Sequence, residues 1–181
     1  MDYLFLILRW LHITSSIIVV GGVFYYRFAV LPAIESLPEA QRDSLTAVMR
    51  RNWAMLARLA MLLLLVTGLT NMILVPMNFD FAEEGRKAYN ILVGVKFLLA
   101  LPIFFIVDML NGRSATAERF RQKSRMWLNV AVFLSIVVIV IGGYVRFIPR
   151  TLKDGVAVTP VAETASAQEP GRVKVSLTEL R

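Results

Sequence analysis

The apolar positions of this chain fall into four long runs, at about residues 4–31, 53–75, 91–110 and 126–148, separated by polar connectors. The first run, as a helix, would be roughly 40 Å long, more than a bilayer core, so it tilts or protrudes. Only helices and closed barrels satisfy the backbone inside lipid, and runs of this length predict helices. The expected fold class is therefore all-α: a polytopic membrane protein with four transmembrane helices in an antiparallel bundle. Pro32, Pro76 and Pro149 are expected to close the first, second and fourth runs, and Asn111-Gly112 the third. Ser36-Leu-Pro38-Glu39 reads as a capping box. It opens a polar helix, with apolar Leu45, Val48 and Met49, that leads into the second run. Residues 77–90, with Asp80, Glu83, Glu84 and Gly85, read as a polar connector. The expected domains are a transmembrane domain over residues 1–150 and a polar, disordered tail over 151–181, in which 173–177 alternates like a short strand. Asp2 stands where a signal peptide would carry a basic cluster, so the first run is read as a retained helix.

Composition agrees with lipid as the solvent. The chain is 57% hydrophobic and 18% charged, with a mean hydropathy of +0.63, beyond the apolar share of soluble domains. With no cysteine, disulfides, iron–sulfur clusters and thiolate metal sites are excluded. The net charge of +7 does not mark a nucleic-acid partner, because most basic residues flank the spans. The connectors after spans one and three carry Arg42, Arg50, Arg51, Arg113, Arg119, Arg121, Lys123 and Arg125. The positive-inside bias then sets both termini outside the cytoplasm, in a cell inner membrane.

An ionisable side chain at the centre of a span costs about 2.5–3.5 kcal/mol on insertion scales, so each one asks for a partner or a role. His12, the sole histidine, lies early in span one, and Lys96 early in span three. In the expected topology Arg9 and Arg146 join them at one depth, with Thr67, Thr70 and Asn71 from span two and Tyr144 from span four. No carboxylate lies in the spans beside that group, which points to an anionic ligand such as a haem or porphyrin. Taken singly, His12 reads as a residue bonded to a serine or threonine, Lys96 as a snorkelling lysine, and Arg9 and Arg146 as interfacial anchors. At the other depth, Arg27, Arg58 and Asp108 are expected to form an ion-paired pin between three helices, with a proton or ion path as the alternative. Arg9, His12, Ser16, Val20, Val23 and Arg27 share one stripe of span one, expected to face inward. The pairs Gly21-Gly22 and Gly142-Gly143 read as sites of close helix approach.

Several strings carry a resemblance. Arg9-Trp-Leu-His12-Ile, then Gly21-Gly22-Val-Phe and Val30-Leu-Pro32, resemble the first helix of the CopD-like (copper resistance protein D) membrane family. Arg58-Leu-Ala with Thr67-Gly68, and Val95-Lys96-Phe-Leu-Leu, extend that resemblance over roughly residues 4–148. The related HemJ type of protoporphyrinogen oxidase shares the four-helix plan, with a histidine in its first helix and a lysine in its third. The first family implies copper homeostasis or transport. The second implies haem b and an oxidoreductase, with His12 as axial ligand and Lys96 as second ligand or substrate-handling group; the second histidine of that pattern is absent here.

The donor chemistry separates these readings. Copper(I) favours thiolate or thioether with imidazole, and here only His12, Met72 and Met77 can be grouped as metal donors. Methionine is also a common core filler. A haem needs one imidazole, an apolar pocket and basic groups for its propionates, for which Arg9, Lys96 and Arg146 are candidates. The expectation from the resemblance is a copper-homeostasis component, with a haem-b oxidoreductase as the alternative. A third reading is a scaffold subunit with no ligand, whose basic connectors hold anionic lipid or a partner; a homo-oligomer is a candidate assembly under any of the three.

Overall fold

The computed structural model describes residues 2–152, so the strand expected at 173–177 lies outside the described residues. Helix α1, Asp2–Tyr25, passes through a π-helical turn, Tyr26–Val30, into α2, Leu31–Glu35. After a short turn come α3 (Glu39–Asn78), a three-residue strand β1 (Phe79–Phe81), α4 (Glu83–Asn111), α5 (Ala115–Arg121), α6 (Ser124–Val145) and strand β2 (Arg150–Leu152). Among the described residues, four helical stretches are long and apolar enough to cross a membrane: Tyr3–Glu35, Glu39–Asn78, Glu83–Asn111 and Ser124–Val145. The all-α, multi-pass membrane character expected from the pattern is what the structure has.

The element ends differ from expectation in instructive ways. Pro32 does not close the first span; it sits in the first turn of α2. A proline ring strikes the carbonyl four residues back, and that residue, Phe28, lies in the wider π-helical turn. Pro76 stands inside α3, which runs two residues further to Asn78 before Phe79 turns extended. The capping box does not form, because α3 starts behind Pro38 with no side-chain cap. Ser36 instead caps the end of α2 and donates back to the Ala33 carbonyl at 2.7 Å. The polar helix from Glu39 and the second apolar run are one continuous α3. The Asn111-Gly112 break stands as read, with Gly112 in extended conformation after α4. The basic connector beyond it contains α5, capped by Ser114, whose hydroxyl accepts from Ala117 N at 3.1 Å.

β1 and β2 pair antiparallel, Asp80 opposite Thr151. This ties the segment after α6 to the connector between α3 and α4, and puts both at one end of the helices. At the opposite end Arg125 pairs with Glu35, joining the start of α6 to the end of α2.

The core is made where small residues let helices approach. Ala57, Ala60 and Ala131 are buried among Val19, Val23, Met61, Ile103, Ile106 and Leu128. Outward, apolar side chains stay exposed; Ile17, Leu98 and Phe133 are each 66% accessible, as lipid-facing positions are. Along α1 the buried residues are Ser15, Val19 and Val23, so the inward face is centred beside the expected stripe and leaves Arg9 exposed. Of the glycine pairs, Gly22 packs on the Trp53 indole and Gly142 faces Lys96, while Gly21 and Gly143 face open space. The expected three-way ion pair is partly different: Arg58 and Asp108 pair at 2.9 Å, whereas Arg27 bonds Asn129 of α6 at 2.5 Å and lies over the Phe28 ring. Asn129 offers Arg27 an acceptor on the helix it faces, so it has no need of the carboxylate that Arg58 already holds.

Candidate functional site

Between α1, α3, α4 and α6, towards the β1–β2 end, the packed core gives way to a cavity of about 380 Å³. Small-molecule sites commonly span about 300–1,000 Å³ and are mostly apolar with a few polar groups. This cavity fits that description: Val19, Val20, Leu64, Phe97, Ile103, Phe104 and Val138 make its walls, and His12, Ser16, Asn71, Tyr89 and Lys96 supply its polar groups. Among the described residues no Asp or Glu lines it. Edge-on contact of Phe5 with Phe79, and tilted contact of Phe81 with Tyr89, pack aromatic rings at the β1 end beside it.

His12 is fixed by a chain of hydrogen bonds. Thr67, buried on α3, donates its hydroxyl proton to the Leu63 carbonyl at 2.6 Å. A hydroxyl has one proton to give. The contact between Thr67 Oγ1 and His12 Nδ1, at 2.8 Å, is therefore made by Nδ1–H donating to the threonine oxygen. In the neutral imidazole this leaves Nε2 with its lone pair, available as an acceptor or a ligand. Gly68 follows Thr67 and lies against the ring; a Cβ there would stand 3.5 Å from His12 Cε1. Ser16 donates to the His12 carbonyl at 2.7 Å, one turn along α1.

Lys96 enters from α4 opposite α6, where Gly142 makes room for it: a Cβ at that position would be 3.1 Å from Nζ. The cavity thus combines an imidazole, an ammonium and an apolar wall, with no acidic group on its lining among the described residues. That set can ligate through nitrogen and neutralise an anion. Among the described residues it does not hold the paired carboxylates that most glycoside hydrolysis uses.

Of the residues singled out from sequence, His12, Lys96 and Met72 share this cavity. Arg9, Arg146 and Met77 do not line it; all three are exposed, Arg146 as the residue that caps α6 and Met77 in the last turn of α3. Thr67 and Asn71 belong to the site, whereas Thr70 turns to its own helix and bonds the Val66 carbonyl. Among the described residues no three His, Cys, Asp or Glu side chains gather as a metal site. Tyr89, 4% exposed, is the residue that sequence reading missed, because α4 begins at Glu83 and not at 91. The acidic first turn Glu83-Glu84 and the Glu83–Lys87 pair, three to four residues apart as helical neighbours are, were the signal for the earlier start.

The chain is similar to an uncharacterized protein of Aquifex aeolicus (strain VF5), 26% identical over 138 residues, which covers 76% of this chain and 92% of that one. No family model matches the sequence. No solved structure matches it either.

Proposed function

We propose that the cavity is a haem b site and that the protein is a haem-dependent oxidoreductase component of a cell inner membrane. The observation that carries this reading is the Thr67–His12 bond, which orients the imidazole and keeps the lone pair on Nε2. A haem requires one such nitrogen and an apolar pocket, and the imidazole of His12 and the mostly apolar lining of the cavity support that reading. Bound there, haem would supply one-electron chemistry. The chain's own residues do the rest. Thr67 holds the ring, Lys96 sets an ammonium against a carboxylate of the ligand, and the walls from α1, α4 and α6 exclude water. The exposed positions of Arg9 and Arg146 leave Lys96 as the cavity's cation for that purpose.

Copper homeostasis, which the CopD-like resemblance implies, is the second reading. Met72 favours it, because its thioether lines the same cavity as His12. Two donors, one soft, are fewer than the three grouped from sequence, since Met77 faces outward. The charge distribution supports an orientation with both termini outside the cytoplasm, because the arginine-rich connectors share the end where Arg125 meets Glu35.

Titration of the ligand-free protein in mild detergent tests the proposal. Haem should bind to saturation at one equivalent with a Soret band that is lost in His12→Ala. Saturable copper(I) binding that Met72→Leu abolishes, with no specific haem uptake, would replace the haem reading with the copper one.

A further inference from the structure

The arginine-rich end of the molecule holds a second, larger cavity of about 1110 Å³, between α3 and the turn from α4 to α5. It is unrelated to the His12 site. Five arginines line it: Arg50, Arg51, Arg58, Arg113 and Arg121. Two carboxylates face this group, Asp108 on Arg58 and Glu118 on Arg121. Arg50 uses Nε on the Thr46 carbonyl at 3.4 Å, and Arg121 also donates to the Gly112 carbonyl at 2.6 Å. Arg51 and Arg113 make no hydrogen bond or ion pair among the described residues. Positive charge therefore exceeds negative at this one concavity.

The lining is divided along α3. Arg50 and Arg51 stand at its start, and Met55, Leu59 and Leu62 follow down the helix, 80%, 53% and 57% exposed. From Arg51 to Leu62 the helix rises about 16 Å, from the headgroup zone into the hydrocarbon. A free phosphate has no use for that apolar wall. A phospholipid does, because its charge and its acyl chain are joined in the same order.

We propose that this cavity holds an anionic phospholipid, with Arg51 and Arg113 on the phosphate and the acyl chain along Met55, Leu59 and Leu62. Guanidinium groups suit phosphate because their donors form a planar fork. Basic pockets beside membrane helices are the usual form of lipid headgroup recognition. Neither arginine has a bond to another described residue, so their removal leaves the described helix contacts intact.

The full chain in mild detergent is incubated with phosphatidylglycerol or phosphatidylcholine, and retained lipid is counted by native mass spectrometry. The proposal expects selective retention of phosphatidylglycerol, weakened about tenfold or more in Arg51→Ala/Arg113→Ala, since each basic residue at a membrane surface contributes appreciably. A control, Arg119→Ala/Lys123→Ala, removes the same charge from the same end of the molecule outside the cavity and should retain the lipid. Equal retention of phosphatidylcholine would overturn the proposal. So would equal loss in the control, which means diffuse charge, or displacement by millimolar inorganic phosphate, which means a soluble anion is the ligand.

Discussion

Thr67 Oγ1 lies 2.8 Å from His12 Nδ1 while its own proton goes to the Leu63 carbonyl. One buried hydroxyl thereby decides the tautomer of the only histidine in the chain. Thr67→Val keeps the shape and removes the acceptor. It should weaken ligand binding by about 10–100-fold, the usual effect of removing a partner behind a ligating histidine. Thr67→Ser should retain most of the affinity. Haem titration of the three proteins measures this, and equal affinities would detach Thr67 from the site.

Lys96 and Gly142 give a second handle. A methyl group at residue 142 would crowd the ammonium at 3.1 Å, against the mobile end of a long side chain. Gly142→Ala should therefore fold normally, with an unchanged melting temperature, but bind ligand more weakly than wild type. Lys96→Met should lower affinity further for a carboxylate-bearing porphyrin than for its dimethyl ester.

Close packing makes a different prediction at the other glycine pair. A methyl at Gly22 would collide with the Trp53 indole, while one at Gly21 meets nothing within 4 Å. Overpacking costs about 1–3 kcal/mol. Thermal unfolding in detergent should show a lowered midpoint for Gly22→Ala, recovered in part by Trp53→Leu, and none for Gly21→Ala. A destabilised Gly21→Ala would mean that the open face at that position is itself an interface.

The Arg58–Asp108 pair spans α3 and α4, with side chains 58% and 44% exposed. Exposed pairs contribute about 0.2–1 kcal/mol. A double-mutant cycle with Arg58→Ala and Asp108→Ala, followed by unfolding, should return a coupling energy in that range. A null coupling would assign both residues to the surface charge of that end alone.

Much of this was legible in the residues, for physical reasons. Apolar runs of membrane length leave the backbone few options, so the four helices could be read directly. His12 and Lys96 stood out because an ionisable group in such a run needs a reason. Arg9 and Arg146 were grouped with them by depth, but depth along a helix does not fix direction around it. The face of α1 is set by Ser15, Val19 and Val23 packing inward, and this leaves Arg9 on the outside. Met77 was lost for a related reason, since five residues beyond Met72 is about 140° round the helix, close to the end of α3. Pro32 misled because a proline ends a helix only when its ring meets an unyielding turn, and here a π-helical turn precedes it. Tyr89 was hidden among polar neighbours that turned out to be the first turns of α4.

The most direct test of the account is an absorption spectrum, with metal analysis, of the protein purified from a haem-sufficient host. The haem reading predicts a stoichiometric Soret band that disappears in His12→Ala while the fold, by circular dichroism, is retained. A colourless wild-type protein carrying stoichiometric copper, or a Soret band unchanged in His12→Ala, would contradict it.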